Sequence, residues 1–207
     1  MSKLRVLIVE DEPVIAENIS MYLDNNDFEV SGIAYDSAEA NEQLQSNTPD
    51  AAILDVNLES DEDGIDIASS INQKYQIPFL FLTSYSDKET LERAKKVKPS
   101  GYIVKPFNEK TLLASLEIAI SNFTAEKNHS LPPLNHDKLN YYLLSPISER
   151  EFELVQQLYE GITNTQIADK LFISVNTVKT HLKNIYLKLD AGTRIEVIRR
   201  LREIMMR

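Results

Sequence analysis

The chain has 207 residues, of which 43% are hydrophobic and 26% are charged, and it contains no cysteine. This composition is near the globular average, and it excludes a disulfide framework, a thiolate metal site and a thiol nucleophile. No apolar run approaches the ~18 residues of a membrane span, and the acidic residues from Glu10 onward end the first apolar stretch too early for a signal peptide. We therefore expect a soluble cytoplasmic protein with no membrane partner.

The formal net charge of -10 is unevenly distributed along the chain. Residues 1–121 contain 22 Asp and Glu against 10 Lys and Arg, whereas residues 145–207 contain 8 against 10. An acidic first part and a slightly basic last part predict two domains with different partners. We expect the first domain at 1–121, a linker at 122–144 that contains a Pro-Pro pair, and the second domain at 145–207.

Residues 1–121 alternate between short apolar runs and segments with helical periodicity. The runs predicted as strands are Leu4–Val9, Phe28–Ala34, Ala51–Leu54, Phe79–Leu82 and Tyr102–Val104. They lack strict polar–apolar alternation, which is typical of parallel strands covered on both faces. Five strand–helix repeats predict an α/β domain with a parallel (βα)₅ sheet.

Polar side chains follow four of these predicted strands. Glu10 and Asp11 follow the first strand, Asp55 the third, Thr83 the fourth and Lys105 the fifth. Taken singly, each is an ordinary loop or capping residue, but parallel strands bring their carboxyl ends together, and ligands bind there. Crowded carboxylates suit Mg²⁺, and a free carboxylate oxygen beside the ion can accept a phosphoryl group. A hydroxyl and an ammonium group can bind the other phosphoryl oxygens.

The last part of the chain predicts a small all-α bundle of four helices. Capping boxes at Ser148 and Thr193 begin the first and fourth helices, and the second runs from about Asn164 to Leu171. The third, capped by Ser174, has an apolar stripe opposite a polar face. That face carries Asn176, Lys179, Thr180 and Lys183, with further positive charge from Lys188, Arg194, Arg199, Arg200 and Arg202. Charge alone leaves DNA binding and an ordinary solvated face about equally favoured.

Four blocks in the first domain carry a family resemblance: Val6-Leu7-Ile8-Val9-Glu10-Asp11-Glu12, Ile53-Leu54-Asp55-Val56-Asn57-Leu58, Phe81-Leu82-Thr83-Ser84 and Gly101-Tyr102-Ile103-Val104-Lys105-Pro106-Phe107. In this order they resemble a response-regulator receiver domain, which has a flavodoxin-like fold. The resemblance implies that Asp55 accepts phosphate from a histidine kinase or a small phosphodonor. Mg²⁺ would be held by Glu10, Asp11, Asp55 and the Asn57 backbone carbonyl. Thr83 and Lys105 would bind the phosphoryl group, Tyr102 would be the switch aromatic, and the Lys105-Pro106 bond is often cis.

One loop departs from the common receiver pattern. Glu59 stands where many receivers have proline, and Gly64 follows Asp55 at nine residues, with an acidic run between. We hypothesise that this loop raises the demand for Mg²⁺ and slows anionic phosphodonors. Glu59→Pro with an unchanged phosphorylation rate and Mg²⁺ dependence would contradict this.

The second domain resembles the LuxR-type helix-turn-helix over about residues 144–202, on Ile167-Ala168-Asp169-Lys170-Leu171-Phe172-Ile173-Ser174 and Asn176-Thr177-Val178-Lys179-Thr180-His181-Leu182. By this resemblance Lys179, Thr180 and Lys183 contact bases of double-stranded promoter DNA, with Asn176 and Lys188 beside them. The combination is similar to NarL/FixJ response regulators of two-component signalling. It implies a transcription regulator that catalyses only its own phosphotransfer and dephosphorylation.

Two other functions stay open. The chain could be a phosphorylation-independent DNA-binding transcription factor with a vestigial acidic site, or a magnesium phosphatase on a similar sheet. We also expect a homodimer when the protein is active. The last helix carries more apolar residues than one small core needs to bury, and the excess can pack against a second copy. These residues are Ile195, Val197, Ile198, Leu201 and Ile204.

Overall fold

The computed structural model describes residues 3–25, 27–58, 62–84, 88–128 and 132–207. Its contacts divide the chain into two units, one comprising Leu4–Phe123 and the other beginning at Thr124. The first unit, the receiver unit, is built around five parallel strands. They are β1 (Leu4–Val9), β2 (Phe28–Ala34), β3 (Ala51–Asp55), β4 (Phe79–Thr83) and β5 (Gly101–Val104).

The strand order in the sheet is β2-β1-β3-β4-β5. The helices of this unit are α1 (Pro13–Leu23), α2 (Ser37–Ser46), α3 (Gly64–Ser70, continued by a π-helical turn at Ile71–Tyr75), α4 (Lys88–Lys96) and α5 (Glu109–Asn128). Side chains of β1 on one face of the sheet pack with α1 and α5, and α2 and α3 contact the sheet as well. The predicted parallel (βα)₅ sheet is therefore confirmed. The chain leaves β1 for β2 on one side and later enters β3 on the other, so the order reverses at the carboxyl ends of β1 and β3.

The second unit, the helical unit, contains α6 (His136–Tyr142), α7 (Glu149–Tyr159), α8 (Asn164–Leu171), α9 (Val175–Lys188) and α10 (Arg194–Met206). The expected capping boxes at Ser148 and Thr193 are both present, and a third at Thr163 begins α8. These caps satisfy amides that have no partner within the helix. Gly161 follows α7 with a φ of 83°, a left-handed conformation that glycine adopts without steric cost.

The sequence prediction missed α6, which lies inside the segment 122–144 that we expected to be linker. Asn135 caps this helix through its side chain, and Leu139 is fully buried among the apolar residues of α7, α9 and α10. The Pro-Pro pair prevents a helix only at its own positions. The residues that follow it have backbone amides that can donate hydrogen bonds, and Asn135 caps the helix that they form. Residues 136–142 thus belong to the packed helical unit, and α5 extends to Asn128.

Candidate phosphoacceptor site and DNA-binding helix

The carboxyl edge of the sheet brings together the acidic residues that the sequence placed after separate strands. Asp55 is the last residue of β3, Glu10 directly follows β1, and Lys105 directly follows β5. One oxygen from each of Glu10, Asp11 and Asp55 lies within 4.8 Å of the others. Strands that point the same way end at one edge, so residues 45 positions apart in the sequence become neighbours there.

The Lys105 ammonium group lies between two of these carboxylates. Its Nζ is 2.6 Å from Asp55 Oδ2, 2.9 Å from Glu10 Oε1 and 2.7 Å from Glu10 Oε2. The side chains are 11%, 8% and 0% exposed for Lys105, Asp55 and Glu10, so water screens these charges weakly. The fold itself therefore supplies a compensating positive charge to a buried acidic cluster.

The pKa of Glu10 shows how costly this clustering is. The pKa of this carboxyl is raised to about 7, mainly by burial and further by the neighbouring Asp55 charge, although the Lys105 hydrogen bond opposes the rise. Burial alone would lower the pKa of Lys105, but its hydrogen bonds to Asp55 and Glu10 outweigh burial and leave that pKa raised. Negative charge is thus in excess at this site, and a further cation would relieve it.

The donor set fits a hard divalent cation such as Mg²⁺. Glu10, Asp11 and Asp55 each offer a carboxylate oxygen to a common point, and Mg²⁺ binds carboxylate oxygens while keeping waters for phosphate. The Asn57 backbone amide donates to Asp55 Oδ1 at 3.1 Å, which fixes the carboxylate and turns the chain at the strand end. Asn57 lines the same cavity as Asp55, as the expected backbone ligand must.

An open cavity of about 640 Å³ gives access to this cluster. Most of its wall is polar, and Val14 adds an apolar group that is largely exposed at the rim. The residues that line it include Asp11, Asp55, Asn57, Asp63, Ser84 and Lys105. A phosphodonor can therefore reach the Asp55 carboxylate from solvent.

Thr83 and Tyr102 lie on the two strands next to the acidic cluster. Thr83 ends β4, and its carbonyl accepts a hydrogen bond from the Lys105 amide at 2.9 Å. The Tyr102 side chain on β5 is 39% exposed, its ring centroid is 5.9 Å from that of Phe81, and burial raises the pKa of its hydroxyl. The Lys105-Pro106 peptide is cis, in agreement with the resemblance. The loop hypothesis that rests on Glu59 falls outside the described residues.

In the helical unit, α9 carries the predicted polar face. Asn176, Thr180 and Lys183 are exposed, and Lys179 is partly exposed. The Thr180 hydroxyl donates to the Asn176 carbonyl at 2.9 Å, a hydrogen bond within the helix. Val178, Leu182 and Ile185 of the same helix are fully buried, as the apolar stripe predicted.

Two of the basic residues expected to add positive charge near this face have protein partners. Lys188 Nζ donates to Glu151 Oε2 at 2.6 Å and to the Pro146 carbonyl at 2.8 Å. Arg194 is buried, and its guanidinium donates to the carbonyls of Leu158 and Ile162. Because these charges already have protein partners, Lys188 and Arg194 contribute to the packing of the helical unit, and their contact with DNA stays a prediction.

The five apolar residues of α10 behind the predicted dimer divide into two groups. Val197 and Leu201 are fully buried and Ile204 nearly so, in a core that includes Leu139 of α6, so the missed helix accounts for part of the apolar surface. Ile195 and Ile198 are only partly buried, and the dimer stays a prediction. None of the described helices is long and apolar enough to span a membrane.

Comparison with protein families gives two matches that follow this division. Residues 6–117 match the response regulator receiver domain, and residues 145–201 match the bacterial regulatory proteins of the luxR family. The receiver match alone covers more than half of the chain. The chain therefore belongs to the response regulators of two-component systems, and its second match makes it one of the NarL/FixJ type, which regulates transcription.

Individual relatives agree with this assignment. The chain is 28% identical to the oxygen regulatory protein NreC of Staphylococcus haemolyticus, and the match covers 94% of this chain and 95% of that one. The same protein from Staphylococcus aureus is equally similar. Among solved structures, the receiver domain of a modulated diguanylate cyclase from Desulfovibrio desulfuricans is 34% identical, with a TM-score of 0.57 over 60% of this chain and 99% of its own. RcsB of Salmonella enterica, bound to promoter rprA, shares the fold at 22% identity and a TM-score of 0.50, over 95% of this chain and 98% of its own.

Proposed function

We propose that this response regulator accepts a phosphoryl group on Asp55, from a histidine kinase or a small phosphodonor, and that this modification controls its binding to promoter DNA. The observation that carries the proposal is the Lys105 ammonium group 2.6 Å from an Asp55 carboxylate that opens onto a solvent-accessible cavity. A capping or merely structural aspartate needs neither a partly buried lysine partner nor two neighbouring carboxylates.

In the proposed step, an Asp55 oxygen attacks the donor phosphorus. The new O–P bond forms as the P–N bond of a phosphohistidine breaks, and the electron pair of that bond stays on the imidazole nitrogen. Lys105 Nζ, already beside Asp55 Oδ2, donates to a phosphoryl oxygen, and the Asn57 amide holds Oδ1 in place. A Mg²⁺ ion held by Glu10, Asp11, Asp55 and the Asn57 carbonyl would supply neutralisation of the phosphoryl charge.

The switch in this proposal uses Thr83 and Tyr102. A phosphoryl group adds about -1.5 to -2 charges and strong acceptor oxygens. The Thr83 hydroxyl turns toward these oxygens, and the Tyr102 ring moves into the space that it leaves. Tyr102 is suited to such a movement because its side chain is only partly covered. The surface around β5 then differs between the two states.

For the output, we propose that Asn176, Lys179, Thr180 and Lys183 of α9 enter the major groove. Asn176, Thr180 and Lys183 are exposed and can reach base edges without repacking of the core. Homodimerisation when active, with half-sites about one helical turn apart, also stays a prediction. So does the cytoplasmic location. Sedimentation of the DNA complex tests the dimer, and a complex with one protein per duplex at all concentrations would contradict it.

Intact-mass measurement after incubation with acetyl phosphate and Mg²⁺ tests the phosphoacceptor. We expect one phosphoryl adduct on the full chain and none on Asp55→Asn. Asp50→Asn is the matched control, because Asp50 lies one residue before the other end of β3, is equally buried, and can keep its bond from the Arg5 amide as asparagine. The absence of an adduct on the unmodified chain would favour a vestigial site, and steady turnover of unrelated phosphoesters would favour a phosphatase.

DNA binding is tested by selection of duplexes from random sequence, with and without beryllofluoride as a phosphoryl analogue. We expect the selected duplexes to bind more tightly when the analogue is present. Equal DNA affinity with and without the analogue, for protein that does form the Asp55 adduct, would show that phosphorylation does not control DNA binding. That result would contradict the proposal that the modification regulates binding to promoter DNA.

A further inference from the structure

Arg93 on α4 makes a contact that the sequence did not suggest. Its Nη1 donates to Asp63 Oδ2 at 2.8 Å, and its Nη2 is 3.7 Å from Asp66 Oδ1. Asp63 also caps α3, because its Oδ1 accepts from the amides of Ile65 and Asp66 at 2.9 and 3.1 Å. Both oxygens of this carboxylate are therefore used, one for α3 and one for α4.

The residue after Asp63 connects this contact to the phosphoacceptor. The Gly64 amide donates to the Val56 carbonyl at 3.3 Å. A Cβ at Gly64 would lie only 1.8 Å from the Asp55 carbonyl oxygen, so the first turn of α3 rests directly on the backbone of Asp55. A movement of the Asp55 backbone must therefore displace Gly64 and with it the Asp63 cap.

We propose that Arg93 is a positioning residue that transmits the state of Asp55 to α4 through Asp63 and Gly64. This inference rests on the proposed phosphorylation of Asp55. The Arg93 and Asp63 side chains are 45% and 26% exposed, and exposed ion pairs contribute little to folding stability. The role of this pair is to connect two elements. It ties a side chain of α4 to Asp63, whose neighbour Gly64 packs directly on the backbone of Asp55.

Hydrogen exchange of the full chain, with and without beryllofluoride and Mg²⁺, tests this role. In the unmodified chain we expect the analogue to change exchange both around residues 55–58 and in α4. In Arg93→Ala the change in α4 becomes smaller by about threefold or more, while that around residues 55–58 persists. Arg93→Lys, which can still pair with Asp63, restores part of the response in α4.

Two further variants keep the test specific. Asp63→Asn retains the capping oxygen but loses the charge, and it should reproduce Arg93→Ala. Lys95→Ala removes an exposed ion pair to Glu92 that lies wholly within α4, and it should respond like the unmodified chain. Equal responses of α4 in the unmodified chain and Arg93→Ala would overturn the inference. If acetyl phosphate left no phosphoryl adduct on Asp55 of the unmodified chain, the proposed function would be overturned instead. The two failures are therefore distinguishable.

Discussion

The two surfaces that we propose as the phosphoacceptor site and the DNA-binding face use charge in opposite ways. In the receiver unit, Glu10 and Asp55 are buried, and both are paired with the partly buried Lys105 before any ligand arrives. On α9, Thr180 and Lys183 stand in solvent. Charges of the first kind are coupled and strong because water does not screen them, whereas charges of the second kind act almost independently. Substitutions should therefore affect stability and ligand binding together in the first region and binding alone in the second.

Lys105→Met tests the coupled region most severely. It retains most of the apolar stem but leaves the buried Glu10 and Asp55 carboxylates without their cation, which typically costs about 3 kcal/mol or more. We expect the free energy of unfolding of the receiver unit to fall by about 3 kcal/mol in EDTA, and Mg²⁺ to restore much of it. Hydrogen exchange of β1 and β3 amides measures this unit separately. Lys95→Met, in an exposed pair, is the control, and an equal loss in both variants would contradict the comparison.

Lys188→Met tests whether a basic residue next to the proposed DNA-binding face behaves like the paired charges of the receiver site or like the exposed charges of α9. Its ion pair with Glu151 is partly buried, so removal should lower the free energy of unfolding of the helical unit by about 2 kcal/mol. The dependence of DNA affinity on salt should stay unchanged, since no phosphate contact is lost. A lower salt dependence with unchanged stability would instead support the prediction that Lys188 contacts DNA.

Glu151 predicts how the helical unit responds to acid. Burial alone would raise its pKa, but the hydrogen bonds from Lys188 and Ser148 outweigh burial and lower it below the ordinary value of 4.5. A carboxyl with a lowered folded-state pKa stabilises fully above its unfolded pKa and loses this contribution as the pH falls through both values. We expect the protection factors of amides in α7 and α9, which correct for the intrinsic pH dependence of exchange, to fall below pH 4.5. Glu151→Gln, which starts less stable, should lose less protection over that range.

The sequence was informative where topology alone decides the outcome. Parallel strands place their ends at one edge, so Asp55 and Lys105 could be brought together from strand order without any knowledge of side-chain packing. The partners of Lys188 and Arg194 could not be predicted in this way. A helical wheel gives the direction of a side chain but does not show which loop, such as the one at Pro146, lies above it. Arg93 was missed for the same reason, because its partner lies 30 residues earlier on another element.

Lys183→Ala tests the exposed face. Because Lys183 has no packing role in the core, we expect its removal to weaken binding to the selected duplex by about 1–3 kcal/mol and to leave the free energy of unfolding unchanged. Fluorescence anisotropy with the selected duplex and with a scrambled one measures the effect. Loss on the selected duplex alone indicates a base contact, whereas equal loss on both indicates a phosphate contact. No loss on either would remove Lys183 from the interface.

Phe172→Gly is expected to give the smallest change in the free energy of unfolding. It tests whether the residue that ends α8, close to α9 in the sequence, has a strained backbone conformation. Phe172 caps α8 with a left-handed φ of 53°, and its side chain is 95% exposed. Glycine removes the steric cost of that conformation and loses no packing, but it frees the unfolded chain, so the net gain in the free energy of unfolding should be about 0.5 kcal/mol.

Asp190→Gly is the matched control, since Asp190 has a similar φ of 50° but a side chain that tolerates this region better. It should gain less than Phe172→Gly. If Phe172→Gly is more stable yet binds the selected duplex less tightly, the aromatic ring contributes to binding from a residue that is not on α9. The exposed region would then resemble the receiver site in one respect. The left-handed backbone of Phe172, like the clustered carboxylates around Asp55, would lower stability while it favours ligand binding.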